Sequence, residues 1–340
     1  MNYSAKFIVA SAALAATALM AQTNIGAAQT VELKVSVFTP PINPLSMEME
    51  RARKEIEAKT GGRLKLNVFH ASQMGPAPRQ FDLVRTGVAD ISVVFNGLTP
   101  GRFPMTELAE LPGLIRGSSA PITMAMEQNA QAFLAPEYPN VKILNFAVTP
   151  NPILISRMEI KSLADLKGKR IRHPGPVHSA TIAALGAVPV LIQPFELAEA
   201  LARGQIDGAV SGAGGVVSFK LQDSARYVLD METGGLTFAV VMNPAAYEKI
   251  PADLRKTFDE YFGPGGQPAW ARILDVDEAN NRALLARDGV KFGTLPASDA
   301  TEFNAIATKL QNSMIGDLEK KGLKARAFFD KLKVVADRTQ

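Results

Sequence analysis

The sequence predicts an α/β protein of two domains. Three observations carry the prediction. The chain has 340 residues, and domains run to about 100–200 residues each. Short apolar strands alternate with amphipathic helices from Val31 onward, the succession that builds a parallel sheet. A second succession of the same kind begins near Asn151.

Val31–Phe38 (VELKVSVF) alternates polar and apolar residues and reads as a strand. A loop through Pro40-Pro41 follows, and Asn43 caps a helix with Pro44 at its first position. That helix runs through EMERARKEIEAKT and stops at Gly61-Gly62. Leu64–Phe69 is the next strand, Arg79–Arg85 a helix ending at Gly87, and Ile91–Phe95 an apolar strand. In the second unit, Ser162–Gly168 is a capped helical turn and Lys169–His173 a strand stopped by Pro174-Gly175-Pro176. Helix Ser179–Leu185, strand Val188–Leu191, helix Glu196–Arg203 and strand Ile206–Val210 follow. The last third reads as helical over about 252–262, about 267–288 and from Ser298 on, with Val290–Leu295 a returning strand. An internal echo links the two units: residues 84–94 and 201–211 each end a helix at glycine (Gly87, Gly204) and open a strand three residues later at aspartate (Asp90, Asp207).

Composition narrows the function. With 47% hydrophobic and 21% charged residues, the chain has enough apolar material to fold. Lys+Arg 37 against Asp+Glu 33 leaves +4, too small and too dispersed to imply a nucleic-acid partner. Zero cysteines exclude disulfides, thiolate metal sites and Cys nucleophiles. Gly168-Lys169-Arg170 lacks the Ser/Thr and the upstream glycine of a phosphate loop. Gly212–Val217 breaks the dinucleotide spacing, and Gly208–Gly212 places Ser211 one step late for a nucleophile elbow. His173 and His178 flank a Pro-Gly-Pro turn and read as partly exposed loop histidines, not a metal pair. Asp275, Asp277 and Glu278 lie in a charged helical stretch and read as a solvated face. No cofactor, metal or catalytic centre is expected.

The first residues carry their own pattern. Lys6 precedes a 14-residue apolar run, Phe7–Met20, and small residues follow at Gly26, Ala27 and Ala28. This reads as a cleavable signal peptide over residues 1–28, because the run falls short of the roughly 20 residues that span a bilayer; cleavage is expected after Ala28, with a site near Ala21 as the alternative.

What remains is anion recognition. Along Lys169–His173 the side chains of Arg170 and Arg172 share one face of a strand that ends at Pro174-Gly175. Ligands of open α/β sheets bind at such carboxyl ends, and a guanidinium grips a carboxylate with two parallel hydrogen bonds. A surface cation cluster is the competing reading.

Ser162–Pro174, SLADLKGKRIRHP, is similar to the "s-l-a-D-L-k-G-k-k-I-R-x-P" segment of the substrate-binding proteins of tripartite ATP-independent periplasmic (TRAP) transporters, in the C4-dicarboxylate-binding branch. Leu185–Val190 resembles that family's "L-G-A-x-P-V", and ALARGQIDGA (200–209) its "A-L-q-x-G-x-x-D-G". Thr60–Leu66 and Ser72–Gly75 resemble "t-G-G-r-l-k" and "g-Q-L-G", in order and with family-like spacing.

The resemblance implies a periplasmic-binding-protein-like α/β fold: two lobes of discontinuous segments, hinge strands between them and a long helix shared by both. Lobe I would take 29–149 plus about 238–277, and lobe II 150–237 plus about 278–340. It implies a periplasmic, monomeric, non-enzymatic protein that binds a small organic acid and passes it to the membrane subunits of a TRAP transporter. The arginine of "I-R-x-P" matches Arg172 and would hold the carboxylate. Phe38, Asn96, Ser211 and Gly212 are further candidates by family position. Arg157 is the nearest residue to a second family arginine, whose own position falls near Pro152. With that arginine absent, a monocarboxylate with an apolar or aromatic body is expected over a dicarboxylate. A binding protein of another importer class, a periplasmic sensor module and, less favoured, a secreted hydrolase stay open.

Overall fold

The computed structural model describes residues 30–262 and 269–338. The expected signal peptide, 1–28, lies outside the described residues.

Period-two patterning sets the first sheet. In β1 (Val31–Ser36) Leu33 and Val35 are buried while Glu32 and Lys34 face solvent. The helix α1 (Pro44–Lys59) begins where Asn43 Oδ1 accepts the Leu45 amide at 3.1 Å. It buries Leu45, Met49, Ala52 and Ile56, one helical stripe. Next come β2 (Leu64–Phe69), α2 (Gln80–Arg85), β3 (Ile91–Phe95), α3 (Ala120–Asn129) and β4 (Lys142–Val148). β1 pairs in parallel with β2 and β3.

The second sheet is entered at β5 (Ile153–Ser156) and continues through β6 (Arg170–His173), α4 (Pro176–Ala184), β7 (Val188–Leu191), α5 (Leu197–Ala202), β8 (Gly208–Ser211), α6 (Ala213–Ser218) and β9 (Tyr227–Asp230). β6 runs parallel to β7 and β8, whereas β5 is antiparallel to β8 and β9. The chain then returns to the first sheet as β10 (Thr237–Met242), antiparallel to β3 and β4. Helices α7 (Pro244–Glu248), α8 (Ala252–Phe262) and α9 (Ala269–Arg287), strand β11 (Lys291–Thr294), and helices α10 (Ala297–Lys320) and α11 (Ala325–Arg338) complete it. Strand orders are β2-β1-β3-β10-β4 and β11-β9-β5-β8-β6-β7. The two-sheet α/β architecture expected from the sequence is therefore present.

Four segments join the lobes. Residues 149–152 and 231–236 cross between sheets as connections of β4 to β5 and β9 to β10. Helix α9 packs Trp270 and Leu274 into the first lobe's core and Leu285 into the second's. Helix α10 buries Phe303 and Ala307 with the second lobe but Ile315 and Leu318 with the first. The end of the chain departs from the expected division, which assigned about 278–340 to lobe II. Phe328, Phe329 and Leu332 of α11 pack instead with Phe81, Phe103 and Met126 of the first lobe. The chain thus returns to its starting lobe through α10.

The first lobe buries acids with few partners. Glu107 is 4% exposed, its Oε1 has no hydrogen bond, and burial beside Glu110 and Glu137 pushes its carboxyl up to about 9. The folded state therefore keeps a proton that the unfolded chain releases near 4.5. Folded protein binds more protons than unfolded protein between those values, so this group's contribution to stability falls as pH rises from about 4.5 to about 9. Glu107→Gln, neutral at every pH, is expected to match wild type near pH 5 and to exceed it by on the order of 3 kcal/mol near pH 8, read as paired urea melts. Equal pH profiles would show Glu107 to be ionised in the fold.

Candidate functional site

The strand ends of both sheets converge on one cavity between the lobes. From the first lobe come Phe38, Asn43, Pro44, Phe95 and Phe238; from the second Arg172, Pro194, Ser211, Gly212 and Phe219. Thr149 and Pro150 of the crossing and Leu274, Asp277 and Glu278 of α9 close it. Its walls are aromatic: Phe38 stacks on Phe95 at 6.3 Å between centroids, and Phe95 meets Phe238 at 4.6 Å. The cavity volume is about 90 Å³. That is well beyond the space a single water needs, and the cavity can take a small molecule.

Arg172 is the cation of this cavity. It sits at the carboxyl end of β6 because Arg170 and Arg172 alternate with Lys169 and Ile171, and the turn at Pro174 stops the strand. The side chain is 2% exposed. Nε donates to the Ile192 carbonyl at 3.1 Å and Nη1 to that of Val210 at 2.9 Å. Two of five N–H donors are thereby used. No carboxylate comes within ion-pair distance among the described residues, and burial alone pushes the guanidinium down to about 9. It remains cationic at neutral pH. A buried, unpaired cation is costly unless an anion completes it.

Arg170 points elsewhere. It is exposed and binds Asp207 at 2.9 Å and the Gly204 carbonyl at 2.8 Å. Arg170→Ala is expected to leave ligand affinity unchanged in calorimetry, the contrast that separates these two arginines.

Of the residues singled out from the sequence, Phe38, Arg172, Ser211 and Gly212 meet at the cavity. Asn96 and Arg157 do not line it. Asn96 is fully buried behind β3 and donates to the Tyr138 hydroxyl at 2.6 Å. Arg157 is exposed, with its guanidinium against Gly204. His178 is not a partly exposed loop residue: it is fully buried in α4, with Nε2 3.2 Å from the Gly234 carbonyl oxygen. Among the described residues no group of three acids or histidines is placed to hold a metal.

The acids of α9 also depart from expectation. Asp277 and Glu278 line the cavity instead of forming a solvated face, and Asp275 accepts from the amide and hydroxyl of Ser119 at 2.9 and 2.7 Å. Glu278 Oε2 takes the Ala213 amide at 2.8 Å and Oε1 takes Arg282 Nε at 2.9 Å. Helical spacing carried this signal: Trp270, Leu274, Asp277, Glu278, Asn281, Arg282 and Leu285 fall on one stripe. Acids set in an otherwise buried stripe are not solvated.

The DctP family model, described as bacterial extracellular solute-binding protein, family 7, matches residues 35–317. The chain belongs to this family. A solute-binding protein of Verminephrobacter eiseniae is 25% identical over 267 residues, covering 78% of this chain and 79% of its own. The crystal structure of a TRAP solute-binding protein from Rhodoferax ferrireducens, in complex with copurified benzoate, superposes with a TM-score of 0.85 at 26% identity, covering 91% of this chain and 98% of that one. A marine metagenome TRAP solute-binding protein specific for aromatic acid ligands, crystallised with 3-hydroxybenzoate, gives 0.85 at 27% identity, covering 91% and 99%. As a family 7 member the chain is a solute-binding protein, and no helix among its described residues is long and apolar enough to cross a membrane.

Proposed function

We propose that this family 7 protein captures a small monocarboxylate with an apolar, aromatic-sized body between its lobes and delivers it unaltered to the membrane subunits of a TRAP transporter. Export by cleavage after Ala28 and action as a monomer in the periplasm belong to the same reading. The observation that carries it is Arg172: a buried guanidinium without a carboxylate partner among the described residues, inside a cavity walled by phenylalanines. The carboxylate would take the free guanidinium donors, and the body would lie on Phe38, Phe95 and Phe238. Closure of the lobes excludes water and strengthens the ion pair. The structures holding benzoate and 3-hydroxybenzoate support this choice of body.

A thermal-shift screen of organic acids tests it, since a ligand of the folded state raises the melting point with its concentration. Benzoate-like monoacids are expected to raise it and succinate or malate to leave it unmoved. Tight binding of succinate or malate without any monoacid binding would overturn the reading.

A further inference from the structure

The cavity holds a second unpaired charge. Asp277 lines it from α9, yet no hydrogen bond or ion pair reaches its carboxylate among the described residues; the Asn281 Nδ2 beside it donates to the Asp277 backbone carbonyl instead, at 2.7 Å. Its neighbour Glu278 is committed on both oxygens, to Ala213 and Arg282. Arg282, toward the C-terminal end of the same helix, is spent on Asp230 at 2.6 Å and on Glu278. Asp277 therefore enters the ligand space with free acceptors, as Arg172 enters it with free donors. Asp277 is half-buried, and burial with the proximity of Glu48 pushes its carboxyl up.

We propose that Asp277 is a specificity-determining residue: it accepts a hydrogen bond from a hydroxyl or amine on the ligand and rejects a second carboxylate. The inference rests on the monocarboxylate reading above and adds the second functional group. A hydroxyl-bearing acid satisfies both charges of the cavity, a plain acid satisfies one, and a diacid places like charges together.

Calorimetric titration of wild type, Asp277→Asn and Asp277→Leu with benzoate, 3-hydroxybenzoate and isophthalate tests it. In wild type, 3-hydroxybenzoate is expected to bind about tenfold tighter than benzoate and isophthalate at least tenfold weaker, because hydrogen bonds to charged groups are the strong ones. In Asp277→Leu the hydroxybenzoate-to-benzoate ratio falls toward one. In Asp277→Asn the penalty on isophthalate shrinks while the hydroxyl keeps an acceptor. Asparagine, of nearly the same shape, carries the comparison should the leucine variant fail to fold. Unchanged ratios in a variant that still binds benzoate would overturn the role of Asp277 alone. Failure of all three acids to bind wild type would overturn the monocarboxylate reading and this inference with it.

Discussion

Arg172→Ala abolishes measurable ligand binding: in the thermal-shift screen the variant's melting point stays flat at acid concentrations that saturate wild type. The size of the effect follows from two magnitudes. A micromolar ligand has about −8 kcal/mol in total, and removing one member of a desolvated charge pair costs about 2–5 kcal/mol. Affinity falls by a factor of about 30 to several thousand, and toward the upper end of that range, in the millimolar region, it passes beyond routine calorimetry. Arg172→Lys restores little, because an ammonium cannot present the two parallel donors of a guanidinium. Arg172→Met separates a ligand anchor from a structural residue. Among the described residues the buried guanidinium has only the Ile192 and Val210 carbonyls as partners, and an apolar side chain of similar length removes its desolvation cost. The methionine variant is expected to melt no lower than ligand-free wild type while binding nothing. A structural arginine would give the reverse, a lowered melting point with affinity kept. Near-normal affinity in Arg172→Ala would refute the anchor.

The internal echo of the sequence has a structural counterpart. Asp90 donates its amide to the Lys34 carbonyl at 2.9 Å, and its carboxylate accepts the Lys34 amide at 2.7 Å. Asp207 repeats both bonds with Arg170, each at 2.8 Å. Each aspartate thus locks the start of one parallel strand to its neighbour, three residues after a glycine whose positive φ ends the preceding helix. The parallel βα units were legible because helix caps, glycine stops and apolar strands are local features. The antiparallel strands β4, β5, β9 and β10 were not. β5 and β9 are four residues long, and β10 (TFAVVM) is buried throughout, so neither shows a clean alternation. These are the strands that carry the chain between lobes, so the hinge was hidden while the lobes were visible. The site divides the same way. Arg172 stood out as a cation at a strand end, but the cavity lining that includes Phe95, Phe219 and Phe238 brings together residues far apart in the chain. Asn96 and Arg157 were carried by family position alone, and their surroundings differ: a buried bond to Tyr138 for one, solvent for the other.

Gly97→Val is expected to hold the lobes apart. Gly97 follows β3 in the first lobe and Gly175 follows β6 in the second, and their backbones meet. A Cβ on Gly97 would lie 2.8 Å from the Pro174 carbonyl oxygen and 3.0 Å from Gly175 Cα; one on Gly175 would lie 2.8 Å from Gly97 Cα. The obstructing atoms are backbone in both directions, so no flexible side chain can yield. Neither glycine has a positive φ, so the substitution leaves each lobe free to fold by itself. The Asn43–Ser218 hydrogen bond, 3.1 Å long, also bridges the lobes. Relief comes only from separating them, which also loosens the cavity wall around Arg172. Overpacking of this kind costs about 1–3 kcal/mol, and affinity falls in proportion to the population of the binding-competent state. The variant should bind the screened acid about 10- to 100-fold more weakly, with Gly97→Ala at the lower end. Small-angle scattering at saturating ligand should show a larger radius of gyration than ligand-bound wild type, and the secondary structure should be unchanged by circular dichroism. Wild-type affinity with an unaltered radius would mean that the two backbones do not approach when the acid is held, and that the lobes grip it in another arrangement.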